Sequence, residues 1–160
     1  MPFLEDRRGG IAPLITIFLG ALTVIFIFML LGLAQLRLIR MNIYRAADLA
    51  ALAGTEELDF AALIQGEQRL LKTAAENAAR VALENNLEDI SKQLAEDPAT
   101  IAANAEIVVL NPGDAMPYTG QPATQPEVWI KVEAPPDWLG AGIWPATIRV
   151  VVRAVASPPP

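Results

Sequence analysis

The chain has 160 residues, 53% of them hydrophobic, and carries a formal net charge of −6 with neither Cys nor His. The missing residue types exclude disulfides, the usual zinc sites, and the Ser-His-Asp and Cys-His nucleophile systems. The acidic balance argues against nucleic-acid binding, because phosphate contacts require clustered Lys and Arg.

Residues 11–36 form an uncharged run of about 26 residues. As a helix it would be about 39 Å long, more than the roughly 30 Å hydrocarbon core of a bilayer. Its polar side chains are Thr16, Thr23 and the terminal Gln35, and no face of it is amphipathic. The run therefore predicts a single transmembrane helix, with the lipid bilayer as a partner.

A cleaved signal peptide is the alternative, since Gly32-Leu33-Ala34 would fit a cleavage site. The apolar run before that site exceeds 20 residues, however, whereas the apolar region of a signal peptide has about 7 to 15. We therefore expect an uncleaved anchor.

Charge is distributed unevenly along the chain. Residues 1–45 carry five Arg against two acids, a net charge of +3, whereas residues 46–160 carry seven Lys and Arg against sixteen acids, a net charge of −9. Arg residues flank the apolar run on both sides, so the positive-inside rule does not decide the orientation. We expect a short cytoplasmic N-terminus (1–10), an extracytoplasmic domain (37–156) and a disordered Pro tail (157–160).

Residues 37–58 contain no Pro and keep a helix-favouring composition, which predicts one continuous helix leaving the membrane. Ala46, Ala50 and Gly54 recur in this stretch every four residues. Small side chains at this spacing allow close approach of another backbone. Ordinary helix propensity of Ala accounts for them equally well.

Two features flank the apolar run: the basic pair Arg7-Arg8 with two Gly before it, and a small-residue stretch after it. That stretch consists of Arg45, Ala46, Ala47, Asp48, Leu49, Ala50, Ala51, Leu52 and Ala53. Together they resemble the TadE/TadG-like proteins of Tad (Flp) pilus assembly, in particular the N-terminal segment of the TadG-like type. The hallmark of that segment is R-x-A-A-D-A-A-A-L-A, in which Leu49 here replaces one Ala.

The resemblance implies a non-enzymatic structural or accessory component, minor pilin-like, of a Tad-type pilus assembly or secretion system. It implies the cytoplasmic membrane of a prokaryote, other pilus-assembly proteins as partners in a homo- or hetero-oligomer, and no cofactor. Pseudopilin members of the group carry a Gly followed five residues later by Glu. Here Leu14 and Ile15 occupy that position after Gly9 and Gly10, so we expect no prepilin processing.

The rest of the chain predicts an α+β domain with a pilin-like layout. Leu70, Ala74, Ala78 and Val81 mark one face of a second helix over residues 67–85, ended by Asn85-Asn86. Residues 59–66 predict a break, and residues 90–95 one or two further turns. Three β-branched segments, 106–110, 127–133 and 147–156, predict a small three-stranded antiparallel sheet, with a loop over residues 111–126.

Residues 134–145, which join the last two strands, contain Trp138, Leu139, Ile143 and Trp144. One interpretation is that these side chains cap the small core beneath the sheet. The other is that they form a docking loop for a partner or for the membrane surface. The second would make the protein a membrane-tethered extracytoplasmic binding module, which is the alternative to an assembly component.

Within the membrane helix, Ala12, Thr16, Gly20 and Thr23 share one stripe at steps of four, four and three. Such small residues let membrane helices approach closely, and Thr hydroxyls can form hydrogen bonds across the contact. Alternatively, both Thr side chains bond back to their own helix.

No catalytic or metal-binding constellation is predicted. The adjacent acids at 56–57, 88–89 and 96–97 would point about 100° apart on a helix and would not share a reacting centre. Residues 111–114 lack the acidic positions of a Ca²⁺ loop. The Gly-containing residues 139–142 lie in a Pro- and Trp-containing loop without a following helix, unlike a phosphate-binding loop.

Overall fold

The computed structural model describes residues 11–139 and 149–158. Its helices are α1 (Ile11–Thr55), α2 (Phe60–Ile64), α3 (Lys72–Glu88) and α4 (Pro98–Asn104), with a 3-10 turn at Ser91–Gln93. Its strands are β1 (Glu106–Leu110), β2 (Glu127–Ala134) and β3 (Val150–Ala156). The predicted α+β class, with a long apolar N-terminal helix, further helices and a three-stranded antiparallel sheet, is confirmed.

Helix α1 has 45 residues and is therefore about 67 Å long. Residues 13–31 are all exposed, and burial begins at Gly32. Among the described residues, α1 is the one helix long and apolar enough to cross a membrane, and its most apolar window has a mean hydropathy of 2.9. We call the remainder of the fold the head: the outer part of α1 from Gly32, helices α2 to α4, and the sheet.

The sheet has the order β1-β2-β3, and both pairs are antiparallel. Ile130 in the central strand pairs with Ile107 on one side and Ala154 on the other. Burial alternates along the central strand: Val128, Ile130 and Val132 are buried, whereas the residues between them are partly exposed. This inner face of the sheet packs against α1, and α3 lies beside α1.

Helix α1 approaches its neighbours closely at Gly54. A Cβ placed there would lie 3.0 Å from the Ala75 carbonyl oxygen, 3.2 Å from Ala79 Cβ and 3.2 Å from a methyl of Val128. Ala50 and Ala46, about one and two turns before Gly54, are also buried. The small-residue repeat of α1 thus ends where helix α3 and strand β2 lie close to it.

The predicted bounds of the second helix, 67–85, are wrong. Residues before Lys72 are extended, because the Leu71 N–H donates to the Glu57 carbonyl at 2.9 Å and the Asp59 N–H donates to the Arg69 carbonyl at 2.8 Å. At the other end the helix continues past Asn85-Asn86 to Glu88, because Leu87 is fully buried in the core.

The predicted buried face of that helix is correct only in part. Leu70 is buried and Ala74 and Ala78 are partly buried, but Val81, expected inside, is 58% exposed. Contact with α1 rotates α3 so that its small residues face the Ala and Gly of α1. The residues that this brings into the core are Ala75, Ala79, Leu83 and Leu87.

Helix α4 was not predicted, although its start carries a sequence signal. The Asp97 side chain accepts a hydrogen bond from the Thr100 N–H at 3.4 Å, and Pro98 occupies the first helical position. Both residue types favour a helix start. Ile101 and Ala102 are buried and attach the short helix to the head.

Two smaller differences concern the ends of elements. The predicted break at 59–66 contains the short helix α2, capped by the Asp59 side chain. Strand β3 begins at Val150, since the preceding Arg149 is not in a strand, and residues 147–148 of the predicted strand lie outside the described residues.

Gly54→Leu is expected to destabilise the head by about 1 to 3 kcal/mol, because the added side chain overpacks a contact made partly by backbone. The matched control is Gly20→Leu, since nothing lies within 4 Å of a Cβ at Gly20. Chemical denaturation of the full chain in detergent micelles measures both variants. Equal midpoints for the two would contradict the proposed close contact.

Candidate functional site

The small-residue stretch after the apolar half of α1 lies largely in the core of the head. Ala46, Ala47, Ala50 and Ala51 are at most 4% exposed, whereas Arg45 is exposed. Asp48 and Ala53 are partly buried, and the side chain of Leu52 is exposed. The alanines of this stretch therefore pack within the chain, and Arg45, Leu49 and Leu52 remain for contact with other molecules.

The acid of the 111–114 segment stabilises the fold. Asp114 Oδ2 accepts the Asn111 N–H at 2.7 Å and forms an ion pair with Lys72 Nζ at 2.7 Å. These hydrogen bonds, that of Lys72 first, lower the pKa of Asp114 below its ordinary value of 3.8. The Asn111 side chain in turn bonds the backbone N–H and carbonyl of Leu70 at 2.7 and 3.1 Å. The segment thus joins the end of β1 to the start of α3.

A second charge cluster lies on the outer face of the sheet. Lys131 Nζ is 3.0 Å from Glu133 and 3.9 Å from Glu106. The hydrogen bond between Lys131 and Glu133 raises the pKa of the lysine and lowers the pKa of the glutamate. Both shifts stabilise the ionised pair, which is the behaviour of a structural ion pair and not of a general acid or base.

The adjacent acids are not brought together. Glu56, Glu88, Asp89 and Glu96 are exposed, and Asp97 caps α4. Among residues 11–139 and 149–158, no group of three or more acids is placed to hold a metal ion.

One charged side chain has a tertiary role that the sequence pattern does not indicate. Lys72, Glu76, Arg80 and Glu84 predict a solvated face of alternating charge. Arg80 Nη1 instead donates to the Ala102 carbonyl at 2.7 Å and the Ala103 carbonyl at 3.0 Å. Arg80 thereby satisfies carbonyls at the end of α4. Its Nη2 donates to Glu76 Oε1 at 3.0 Å.

The start of the Trp-containing loop is attached to the head. Segments 93–95 and 135–137 pair, with the Ala95 N–H donating to the Pro135 carbonyl at 2.9 Å and the Asp137 N–H to the Gln93 carbonyl at 2.9 Å. Trp138 is half-buried against the core, and a Cβ on Gly32 would lie 3.2 Å from its ring.

Gln35 connects this loop to the end of the uncharged run. Its Oε1 accepts the Leu139 N–H at 3.1 Å, and its Nε2 donates to the Asp137 carbonyl at 3.5 Å. Leu139 itself is 60% exposed. Ile143 and Trp144, the other two residues of the predicted docking loop, lie outside the described residues.

The predicted stripe in the apolar half of α1 is exposed at Thr16, Gly20 and Thr23, and the side chain of Ala12 lies outside the described part. The Thr23 hydroxyl donates to the Leu19 carbonyl at 2.8 Å, so this side chain bonds back to its own helix. Thr23 precedes Gly32 by nine residues and therefore lies roughly 180° around α1 from the face that the head covers.

An open groove of about 850 Å³ runs between α1 and the edge strand β3. Its α1 wall consists of Ala34, Arg37, Leu38, Arg40, Met41 and Tyr44, and its other wall is residues 151–153 of β3. Within the described residues, the side chains of Arg37 and Arg40 form neither a hydrogen bond nor an ion pair. The groove therefore combines an apolar wall with two unpaired cations.

No protein-family model, curated protein or solved structure matches this chain. The described residues present three surfaces to other molecules. They are the Trp138–Leu139 segment beside Gly32, the face of α1 opposite the head, and the groove between α1 and β3.

The stability of the head is expected to depend on pH through Asp114. Its folded-state pKa is lowered, so its contribution is present above the unfolded pKa near 3.8 and is lost as the pH falls through the folded value. Asp114→Asn should therefore make the free energy of unfolding less dependent on pH below about 5. Acid titration of stability, followed by circular dichroism, measures this dependence.

Lys72→Met is the matched variant, because it removes the principal cause of the shift and leaves the carboxylate in place. Lys72→Met should also make the free energy of unfolding less dependent on pH below about 5. The same pH dependence in the wild type and both variants would show that the Lys72–Asp114 pair does not contribute to stability.

Proposed function

We propose that this chain is a non-enzymatic, membrane-anchored structural or accessory subunit, minor pilin-like, of a Tad-type pilus assembly or secretion system. One observation carries the proposal. A single helix, α1, exposes an uncharged apolar half and contributes its other half to the core of a folded head.

The exposed half of α1 requires a nonaqueous environment. Residues 13–31 include Ile, Leu, Phe, Val and Met side chains that are about half exposed or more. Leaving one such side chain in water costs about 1.5 to 3 kcal/mol relative to burying it, so the segment must be covered by lipid or by other membrane helices.

The continuity of α1 favours a structural role. The described residues contain no loop between the exposed half and the head, so displacement or rotation of the membrane helix moves the head with it. A subunit of an ordered assembly requires such a fixed geometry. The perturbed acids, Asp114 and Glu133, are in structural ion pairs, and this also supports a role without chemistry.

The resemblance of the Arg7-Arg8 pair and of the stretch after the membrane to TadE/TadG-like proteins supports the assignment to pilus assembly. It supports the cytoplasmic membrane of a prokaryote, with the N-terminus inside and the head outside. The alternative, a tethered binding module, depends on a free Trp loop. Trp138 lies against Gly32 and is half-buried, which favours the assembly role.

The topology is tested with reporter fusions after Pro160. Alkaline phosphatase, which matures outside the cytoplasm, should be active there, and β-galactosidase should be inactive. The reverse pair of results would place the head in the cytoplasm and would refute the assignment to a pilus subunit.

The assembly role is tested at Gly20, which lies on the exposed stripe with open space around it. Gly20→Leu should weaken co-purification with the pilus-assembly ATPase and platform proteins severalfold, because the larger side chain prevents close helix approach. Membrane insertion should not change, since Leu inserts at least as well as Gly. The control is Ile25→Leu, away from the stripe. If both variants retain these partners equally, the stripe is not an interface.

A further inference from the structure

We propose that the groove between α1 and β3 binds the headgroup of an anionic phospholipid, with Arg37 and Arg40 contacting its phosphate. This inference rests on the membrane anchoring proposed above. The molecule bound in the groove is a lipid of the surrounding bilayer, and not a soluble phosphate or a second copy of the chain.

Depth along α1 is the first argument. With the middle of the uncharged run at the bilayer centre, Gly32 lies about 13 Å from the centre, and Arg37 and Arg40 lie about 20 and 25 Å from it. The hydrocarbon core ends near 15 Å, and the headgroups extend to about 20 to 22 Å. Helical side chains lean toward the helix N-terminus, which here is toward the bilayer, so both guanidinium groups reach the headgroup region.

Trp138 supports this depth independently. Its ring lies beside Gly32, close to the boundary of the hydrocarbon core, where Trp side chains concentrate in membrane proteins. Gln35 holds the backbone of residues 137 and 139 one turn farther out. The exposed Leu139 side chain is then at the lipid surface, and the groove opens there as well.

Charge is the second argument. Residues 46–160 carry sixteen acids, yet none of those described pairs with Arg37 or Arg40. The third cation beside the groove, Arg153, is engaged elsewhere, since its guanidinium lies 4.4 Å above the Tyr118 ring. Two unpaired guanidinium groups, three residues apart on one helix, suit a phosphate diester, to which Arg can donate two hydrogen bonds.

The apolar wall is the third argument. Leu38 and Met41 are 56% and 50% exposed, and with Ala34 they continue the lipid-facing surface of α1 outward at helical spacing. A soluble anion would leave these side chains in water, whereas the glycerol and upper acyl region of a lipid covers them. A parallel second copy on the same face would bring its Arg37 and Arg40 close to those of the first, and this repulsion disfavours it.

The test uses the full chain in nanodiscs made from equal amounts of phosphatidylcholine and phosphatidylglycerol. After extraction in mild detergent, native mass spectrometry measures the ratio of the two lipids that remain bound. The wild type should retain phosphatidylglycerol in preference. Arg37→Gln and Arg40→Gln should each reduce the preference about fivefold, the factor that corresponds to about 1 kcal/mol per surface cation.

Arg45→Gln is the matched control, because Arg45 is exposed, lies about 32 Å from the bilayer centre and does not line the groove. It should leave the preference unchanged. An equal loss in Arg45→Gln would show a general effect of net charge, and displacement of the lipid by excess glycerol 3-phosphate would show a soluble-phosphate site. Either result would overturn the proposal.

A third arm uses Met41→Cys and measures disulfide cross-linking between chains. Cross-linking without selection of phosphatidylglycerol would assign the groove to a second copy and would also overturn the proposal. A chain that stays in the bilayer without selecting phosphatidylglycerol overturns this inference alone. A chain that does not enter the bilayer overturns the proposed anchoring as well.

Discussion

The head depends on the close approach of α1 to α3 and β2, which only very small side chains permit. A Cβ on Gly54 would lie only 3.0 to 3.2 Å from the Ala75 carbonyl, the Ala79 Cβ and a methyl of Val128, closer than ordinary van der Waals contact. Many of the core residues in this small head are alanines, so stability comes in part from many short contacts between backbones and methyl groups. The largest fully buried side chains include Ile39, Ile43, Leu83, Leu87, Ile101 and Ile130.

The same helix has two different environments, and the change occurs within about two turns. Before Gly32 its side chains are exposed and uncharged, and from Ile39 onward one face is buried under the sheet and α3. Two contacts at this boundary attach the segment after β2 to α1. Trp138 lies beside Gly32, and Gln35 accepts the Leu139 N–H. The level of the head along α1 is therefore determined by packing and hydrogen bonds as well as by the covalent chain.

Two tertiary charge contacts stabilise the ends of elements and a loop. Lys72 and Asp114 join the start of α3 to the loop after β1, and Arg80 satisfies the terminal carbonyls of α4. These contacts span many residues of sequence, and they explain why a head with long loops still has ordered element ends. Arg37 and Arg40 differ from them, because they have no partner in the described part of the chain and lie beside an apolar groove.

The sequence by itself determined the long apolar helix, the α+β class and the three strands, because these depend on local composition and on hydrophobic periodicity. Strands β1 and β2 begin at the predicted residues, since β-branched runs bounded by Pro and Gly have little alternative. The Asp97-Pro98 pair would also have identified α4, and only the short length of that helix obscured it.

Only the tertiary structure decided the rotation and the bounds of α3, the tertiary contacts of Lys72 and Arg80, and the position of Trp138 beside Gly32. The alanines of α3 fit more than one helix face equally well, so periodicity could not select the face that packs on Gly54. The partner of Trp138 is more than a hundred residues away, and no local pattern specifies a contact at that separation. The buried face of α3 and the contact between Trp138 and Gly32 are therefore determined by the packing of the whole head.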